Sequence, residues 1–344
     1  MINKIKIGEK LIGENQPCFI IAEAGINHNG NIEKAMLLIQ KAAEAGADAI
    51  KFQTHLPEKE MLKDGFTAEY VKSSLFDLLK KVELSKKDHI NLKKYAEKKG
   101  ILFLSTPFSR EAADLLEKIG VKAYKVGSGE MTNLPLLEHI VRKGKPMIIS
   151  TGMSTFREVR ETVNFVKRFN NKFIILHCTS SYPAKYEDLN LRVIERLKKE
   201  LKIPVGLSDH SIGIYTALTA IALGACVLEK HFTISRKWPG PDQKASIEPK
   251  ELKELVQGVR AVEKALGSTK KITSDELPVK KMARESVVSL VDIPNGATIK
   301  KNMVWVKRPG TGIPAKYLNK IVGLRAKKSI KANQLIKWEN LKLK

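Results

Sequence analysis

Side chains that can bind anions and metal ions recur at the ends of eight short apolar segments in this 344-residue chain. Each segment begins with apolar residues and ends with polar ones. The side chains with the clearest chemical potential are Glu23, Lys51, Gln53, Thr106, Lys125, Ser128, Glu130, Ser150, Ser180, Ser208, His210 and His231. One such residue alone is explained by capping of the next helix, whereas eight polar endings in one chain indicate a shared functional site.

Two lysines, Lys51 and Lys125, lie inside otherwise apolar segments. An unpaired ammonium group is costly to bury, so we expect an anion beside each. Because several hydroxyl groups follow neighbouring segments, we interpret the anion as a phosphate together with a carboxylate. Two alternatives stay open, namely structural pairing with Glu23 or Glu229 and a Schiff base with a carbonyl substrate.

Two histidines, His210 and His231, close the seventh and eighth segments. If those segments are neighbouring strands, the two imidazoles can share one divalent cation with water and substrate, which suits Lewis-acid catalysis. The run 127–130 (GSGE) predicts free backbone N–H groups beside Lys125 that bind phosphate oxygens. We interpret the remaining strand-end histidines as helix caps or core hydrogen-bonding residues: His28, His55 and His177.

The elements that must position these residues alternate strictly between strand and helix. The eight predicted strands span 18–23, 49–54, 101–106, 123–128, 146–151, 173–179, 204–209 and 226–233. Helical patterns separate them, and a last one follows the eighth strand. This alternation predicts a (β/α)8 TIM barrel, with catalytic groups at the carboxyl ends of the strands. The long connection 56–82 is predicted to be a loop over the barrel mouth.

The chain after the barrel has a different pattern. We predict a barrel domain at 1–267, a linker at 268–283 and a small, mostly β domain at 284–344. The last region contains an echo at a spacing of 37 residues, in which Ile293 matches Ile330 and Gly296 matches Asn333. Glycine and asparagine most readily adopt positive φ, so the echo predicts one turn used twice.

Composition excludes several classes of protein. A hydrophobic content of 43% argues against disorder, and the longest apolar run, 217–228, is too short to span a bilayer. No signal peptide is predicted, so we expect a cytoplasmic protein with no membrane partner. Three cysteines are too few for a disulfide framework and are expected to be buried thiols. The net charge of +24 is mostly scattered lysine, which favours solvated helix faces over acidic substrates or nucleic acid.

Seven motifs in order closely resemble the sialic acid synthases, a family that includes the N-acetylneuraminate, legionaminate and pseudaminate synthases. The motifs are 21–30 (IAEAGINHNG), 51–54 (KFQT), 125–130 (KVGSGE), 206–210 (GLSDH), 229–233 (EKHFT), 239–242 (PGPD) and 307–310 (KRPG). The resemblance covers nearly the whole chain, and its C-terminal part resembles the antifreeze-like (SAF) domain.

The resemblance implies a condensation of phosphoenolpyruvate with the open-chain form of an N-acetylmannosamine-type sugar, which gives a nine-carbon 2-keto acid and phosphate. It implies phosphoenolpyruvate contacts from Lys51, Thr106, Lys125, Ser128, Ser150 and Ser208, with Ser180 standing where some members have asparagine. It also implies sugar contacts from Glu23, Gln53, Tyr182 and Asp242, and Mn²⁺ or Mg²⁺ on His210 and His231.

The same resemblance implies a domain-swapped homodimer in which Arg308 reaches the sugar in the partner subunit. Within the implied reaction, Lys51 and Lys125 stabilise the anionic charge, and Glu130 is the candidate base for the attacking water. Glu23 is interpreted as orienting sugar hydroxyls. Two competing functions are a barrel that condenses phosphoenolpyruvate with a phosphorylated aldose and a basic carbohydrate- or nucleic-acid-binding protein.

Overall fold

The computed structural model describes residues 4–63 and 74–342. The chain divides into two compact units, Met1–Gly267 and Ser268–Lys344. The first unit begins with the hairpin of β1 (Ile5–Ile7) and β2 (Lys10–Ile12). Eight parallel strands follow it, and they are β3 (Phe19–Gly25), β4 (Ala49–Thr54), β5 (Leu102–Pro107), β6 (Tyr124–Val126), β7 (Met147–Ser150), β8 (Phe173–Cys178), β9 (Val205–Asp209) and β10 (Val227–His231).

The eight strands form a nearly closed barrel in the order β5-β4-β3-β10-β9-β8-β7-β6. Every hydrogen-bonded pair is parallel. The predicted TIM-like barrel is therefore confirmed, and each of the eight predicted strands is present. Parallel neighbours bring all eight carboxyl ends to one rim, where the polar strand endings meet.

Ten helices in the described part of this unit surround or connect the strands. They are α1 (Ile32–Ala45), α2 (Pro57–Glu60), α3 (Leu75–Val82), α4 (Lys86–Lys98), α5 (Arg110–Ile119), α6 (Leu134–Val141), α7 (Phe156–Lys167), α8 (Val193–Leu201), α9 (Tyr215–Ala222) and α10 (Pro249–Ala265). Several begin at side-chain caps that satisfy otherwise unpaired N–H groups. Ser85 and Thr155 form capping boxes at α4 and α7, and Asn31 and Ser109 cap α1 and α5.

The barrel has two apolar layers. Strand residues such as Ile20 and Ile50 pack against the helices, while Phe19, Ile21 and Ile148 fill the barrel interior. The hairpin, which the sequence analysis did not predict, packs its isoleucines into that interior cluster. Apolar residues thus fill the amino-terminal half of the interior, and the polar groups lie at the opposite end.

The connection 56–82 differs from the predicted loop, because it contains α2 and α3. Residues 64–73 of this prediction lie outside the described residues. Leu79 and Val82 of α3 pack on Ile26, which follows β3. The connection is therefore anchored to the barrel by an apolar cluster.

The second unit contains α11 (Glu276–Ala283), β11 (Ser286–Ser289), β12 (Val304–Lys307), α12 (Leu318–Ile321), β13 (Arg325–Ala326) and β14 (Leu341–Lys342). The predicted linker 268–283 is therefore helical over its last eight residues. The internal echo is present, since Ile293 pairs with Ile330 and both Gly296 and Asn333 have positive φ, at 79° and 60°. Among the described residues, no helix combines the length and apolarity needed to cross a membrane.

Candidate functional site

A cavity of about 310 Å³ lies at the carboxyl ends of the barrel strands. It collects almost all of the site residues predicted for the first unit. Its lining includes Glu23, Lys51, Gln53, Thr106, Lys125, Ser128, Glu130, Ser150, Ser180, Tyr182, Ser208, His210 and His231. Asp242 lines an adjoining cavity. Arg308 is an exposed residue that follows β12 in the second unit.

Lys51 lies on the inner face of β4 and is buried together with its partners. Its Nζ is 2.6 Å from Glu23 Oε2 and 3.7 Å from Glu229 Oε2. It also donates to Thr106 Oγ1 on β5 at 3.0 Å. The ammonium group is thus held between two carboxylates and a hydroxyl.

Lys125 lies across the same cavity on β6. Its Nζ donates to Ser150 Oγ at 2.7 Å and lies 3.6 Å from Glu229 Oε1. Ser208 donates to the same Glu229 oxygen at 2.8 Å. Glu229 therefore bridges the two lysines, which brings both ammonium groups to one centre.

The sequence analysis considered Glu229 only as a structural partner and did not include it among the site residues. The signal was available, because side chains alternate along a strand and Glu229 shares its face with His231. The intervening Lys230 points to the other face, where its Nζ meets Asp209 Oδ2 at 2.9 Å with both side chains fully buried. The interpretation that every polar strand ending faces the mouth is therefore wrong for Lys230 and Asp209.

Charge in the cavity is set by competition between burial and ion pairing. Burial by itself raises the pKa of the Glu229 carboxyl, but Lys125 and Lys51 hold that pKa well below its usual range. Burial raises the pKa of Glu23 to about 7 despite the opposing effect of Lys51. With Glu229 ionised and Glu23 only partly ionised near neutral pH, the two lysines carry an excess of positive charge, which favours an anionic ligand.

The two predicted metal ligands lie side by side, with His210 and His231 ring centroids 5.2 Å apart. The Nδ1–H of His210 donates to the Thr179 carbonyl at 2.8 Å, which leaves its Nε2 as a free lone pair. The Nδ1 of His231 is buried without a hydrogen-bond partner and lies 3.9 Å from Asp242 Oδ2. A free nitrogen donor on each ring fits a divalent cation.

Within residues 4–63 and 74–342, no cluster of three or more histidine, cysteine, aspartate or glutamate residues suited to a metal ion is present. In the described part of the chain, the imidazole pair is what this cavity offers a cation, and any remaining ligands would come from water or substrate. Such an incomplete protein shell is typical of a catalytic rather than a structural site.

Small polar groups line the cavity wall near Lys125. Ser128 Oγ accepts from the Gly152 N–H at 3.0 Å. A methyl group at Gly152 would collide with the hydroxyls of Ser128 and Ser180, so only glycine permits this close approach. The three cysteines are buried and free, as predicted. Cys178 nevertheless lines the cavity, a placement that the sequence analysis missed.

Glu130 lies at the edge where two cavities meet. Its carboxyl is mostly buried, and this burial raises its pKa from 4.5 to about 7, with a smaller contribution from Glu60 and an opposing one from Lys125. A carboxyl group with such a pKa can accept and release protons near neutral pH.

The adjoining cavity has a volume of about 710 Å³ and shares Gln53, Glu130 and Tyr182 with the first. One of its walls is polar. We define the apolar wall as the apolar part of its lining, formed by Ile26, Met61, Leu75, Leu78 and Leu79. Tyr182 stacks near His210, with ring centroids 4.2 Å apart, and so connects the two cavities.

A barrel with charged side chains at the carboxyl ends of its strands is the arrangement typical of a TIM-barrel enzyme. A model of the NeuB family matches residues 38–271, and a model of the SAF domain matches residues 284–342. The chain is 43% identical over 346 residues to N,N'-diacetyllegionaminic acid synthase of Legionella pneumophila, covering 97% of each chain. It is 38% identical to human N-acetylneuraminate-9-phosphate synthase, covering 95% of this chain and 94% of the human protein.

Among solved structures, the N-acetylneuraminic acid (sialic acid) synthetase of Leptospira borgpetersenii in complex with citrate is similar. It shares 39% sequence identity with a TM-score of 0.73, covering 81% of this chain and 95% of that chain. The chain therefore belongs to the NeuB family, with an SAF domain at its C-terminal end.

Proposed function

We propose that this enzyme condenses phosphoenolpyruvate with an N-acylated amino sugar to give a nine-carbon 2-keto acid and phosphate. One observation carries the proposal, namely the convergence of two buried lysines and two histidines with free nitrogen donors on a single cavity. The similarity to a diacetyllegionaminic acid synthase and to an N-acetylneuraminate-9-phosphate synthase supports the proposal. A basic carbohydrate- or nucleic-acid-binding protein does not require this buried arrangement, which therefore disfavours that alternative.

In the proposed complex, phosphoenolpyruvate lies between Lys51 and Lys125. The hydroxyls of Ser128, Ser150 and Ser208 donate to its phosphate and carboxylate oxygens. The ligand brings several negative charges to two ammonium groups that are already in place, and the Ser208 hydroxyl turns from Glu229 to the ligand. Preorganised ammonium groups stabilise charge that develops on the departing phosphate.

The bonds and protons balance as follows in the proposed reaction. The methylene carbon of phosphoenolpyruvate forms a bond to the aldehyde carbon of the open-chain sugar, and the aldehyde oxygen becomes an alkoxide. Water adds to the resulting cationic C2 and gives one proton to Glu130, and that proton is passed on to the alkoxide, which becomes a hydroxyl. The carbon–oxygen bond to phosphate then breaks, the second proton of the water leaves with the phosphate, and the 2-keto group forms. A divalent cation held by His210 and His231 would supply Lewis-acid polarisation of the aldehyde oxygen.

The proposed role of Glu130 predicts a pH dependence. Because only the ionised carboxylate accepts a proton and its pKa in the free enzyme is about 7, kcat/KM should rise with pH through that value. Glu130→Gln should lower kcat at pH 8 by about a hundredfold and abolish this rise. Steady-state rates between pH 6 and 9, roughly the range in which such a base titrates, check it.

Stability provides the control for Glu130. Its pKa is higher in the native protein than the usual 4.5, so the native state binds more protons between about pH 4.5 and 7. The stabilisation that comes from the protonated Glu130 carboxyl is present at low pH and lost as pH rises. At pH 8 the Glu130→Gln variant should therefore be no less stable than the parent. The partly exposed Glu138, which pairs with Arg142 on the outside of the barrel, provides the matched variant, and Glu138→Gln should keep both rate and profile. A normal rate in Glu130→Gln would contradict the assignment.

We further propose that the sugar substrate has an apolar far end, as in a 2,4-diacetamido-trideoxy hexose. The hydroxyl-bearing end of the sugar would be bound by Gln53, Tyr182 and Asp242. The apolar wall would then face the carbons at the other end of the sugar. A methyl or acetamido methyl group gains by contact with this wall, whereas a hydroxyl or phosphate there is left without partners. Among the described lining residues, Lys244 is the one cation, which disfavours a phosphorylated aldose.

Phosphate release from phosphoenolpyruvate tests both levels of the proposal. We expect release only when a sugar is present, with kcat/KM for the diacetamido-trideoxy sugar at least about tenfold above that for N-acetylmannosamine. A preference for N-acetylmannosamine or for a sugar phosphate would contradict the role of the apolar wall. No release with any of these sugars would contradict the proposed reaction itself.

We also propose a homodimer in which Arg308 of one chain completes the site of the other. Arg308 is exposed in its own unit and therefore free to contact a partner. Arg308→Ala and Lys125→Ala should each be inactive. Mixing them should restore about a quarter of the parent rate after random subunit exchange, because one site in each mixed dimer is intact. No recovery, with exchange verified by mass, would contradict the swap.

A further inference from the structure

We infer that His55 and Glu60 form a positioning pair that holds the Gln53 amide in its sugar-binding orientation, an inference that rests on the proposed function. The sequence analysis assigned His55 to capping or core bonding. The structure agrees with the core hydrogen bonding and places His55 in a hydrogen-bonded row of four side chains that leads to Lys51.

The row begins at Glu60, the last residue of α2. Its Oε1 lies 2.8 Å from His55 Nδ1, and its Oε2 accepts from the Leu56 N–H at 3.2 Å. A carboxylate accepts hydrogen bonds, so Nδ1 carries a proton directed at Glu60. Both oxygens of Glu60 are thus engaged, and the position of the imidazole ring is fixed.

The other side of the ring faces Gln53. His55 Nε2 lies 3.0 Å from Gln53 Oε1, and Gln53 Nε2 donates to Glu23 Oε1 at 3.4 Å. Glu60 and the amide oxygen of Gln53 both accept, so both ring nitrogens of His55 donate to them. Because the amide is planar, holding its oxygen at His55 turns its nitrogen toward Glu23. Glu23 Oε2 in turn lies 2.6 Å from the Lys51 ammonium group. The row therefore connects α2 to the centre of the cavity.

Packing leaves the ring no alternative position. The His55 ring stacks on Phe108, with centroids 4.2 Å apart and an interplanar angle of 13°. The side chains of His55 and Glu60 are 8% and 3% exposed. Gln53 is less buried and, without the ring, is free to rotate, so a sugar would have to order it upon binding.

A double-mutant cycle tests whether the pair acts through Gln53. We expect His55→Ala and Gln53→Ala each to raise the sugar KM by about tenfold or more while the phosphoenolpyruvate KM stays within about twofold. The double variant should be no worse than Gln53→Ala alone, because the imidazole has nothing left to position. Additive effects, or equal changes in both KM values, would overturn the inference.

The matched control is His139→Ala. His139 also pairs with a carboxylate, Asp114 at 2.8 Å, but this pair is partly exposed on the outer helices. We expect its kinetics to equal those of the parent. If His139→Ala raised the sugar KM as His55→Ala does, loss of any histidine–carboxylate pair would explain the effect and the inference would fail.

Glu60→Gln keeps the shape of the side chain, so it still tests the inference if the alanine variant misfolds. Glu60 also helps to raise the pKa of Glu130, so the comparison belongs about 1.5 units above that pKa, where Glu130 is ionised in both proteins. We expect a rise in sugar KM with unfolding midpoints close to the parent. If the parent is inactive with every sugar, the proposed function and this inference are both overturned. If the parent is active and neither Glu60→Gln nor His55→Ala changes the sugar KM, the inference alone is overturned.

Discussion

Lys125→Met should lower kcat/KM for phosphoenolpyruvate by about three orders of magnitude. Lys125 is buried, donates to Ser150 and lies 3.6 Å from Glu229. A contact of about 4 Å between the Lys125 ammonium group and a substrate anion, in a site of intermediate dielectric, is worth about 4 kcal/mol, which corresponds to about a thousandfold in rate. Methionine keeps the length of the side chain and removes the charge. Initial rates at varied phosphoenolpyruvate measure the effect.

Two comparisons separate anion binding from structural pairing, the alternative left open by the sequence. The exposed Lys122→Met, three residues earlier, should retain parent kinetics. Combining Lys125→Met with Glu229→Gln removes both charges and should restore stability lost in the single variant. If the double variant also recovered activity, Lys125 would serve only to neutralise Glu229. Continued inactivity at normal stability is the result expected of a substrate-binding lysine.

His210→Ala should weaken Mn²⁺ binding by at least about a hundredfold, since even outer-shell changes at metal sites cost tenfold to a hundredfold. His210 holds its free Nε2 in place through the Thr179 hydrogen bond. The expected loss is measured directly as free Mn²⁺ by electron paramagnetic resonance, without any turnover. Condensation should fail in parallel.

The control for the metal prediction is again a histidine outside the cavity. His139→Ala should bind Mn²⁺ as tightly as the parent. The parent, His139→Ala and His210→Ala should all have unfolding midpoints within a few degrees of one another. Two results would count against the metal site. One is unchanged Mn²⁺ affinity in His210→Ala, and the other is full turnover of the parent in the presence of a chelator.

The barrel could be predicted because its signals are local. Each strand has its own apolar run, and each polar ending follows that run directly, as with Lys51-Phe52-Gln53 at the end of β4. Parallel pairing then requires all the carboxyl ends to meet at one rim. The same reasoning placed His210 and His231 together, because β9 and β10 are adjacent in sequence order and in the sheet.

What the sequence did not reveal depends on long-range packing or on the face of a strand. Glu229 and Lys230 are neighbours in sequence, yet one faces the cavity and the other forms a buried pair with Asp209 behind the barrel wall. The β1–β2 hairpin could not be predicted, because the role of its isoleucines depends on the interior cluster into which they pack. The His55–Glu60 pair requires the turn into α2, which no periodicity indicates.

The most direct test uses phosphoenolpyruvate labelled with ¹⁸O in the oxygen that bridges C2 and phosphorus. The parent enzyme is incubated with this substrate, the amino sugar and Mn²⁺, and both products are analysed by mass spectrometry. We predict that the label leaves with phosphate, while the nine-carbon 2-keto acid takes its C2 oxygen from water. Label retained in the keto acid, or phosphate formed without the sugar, would contradict the proposed condensation.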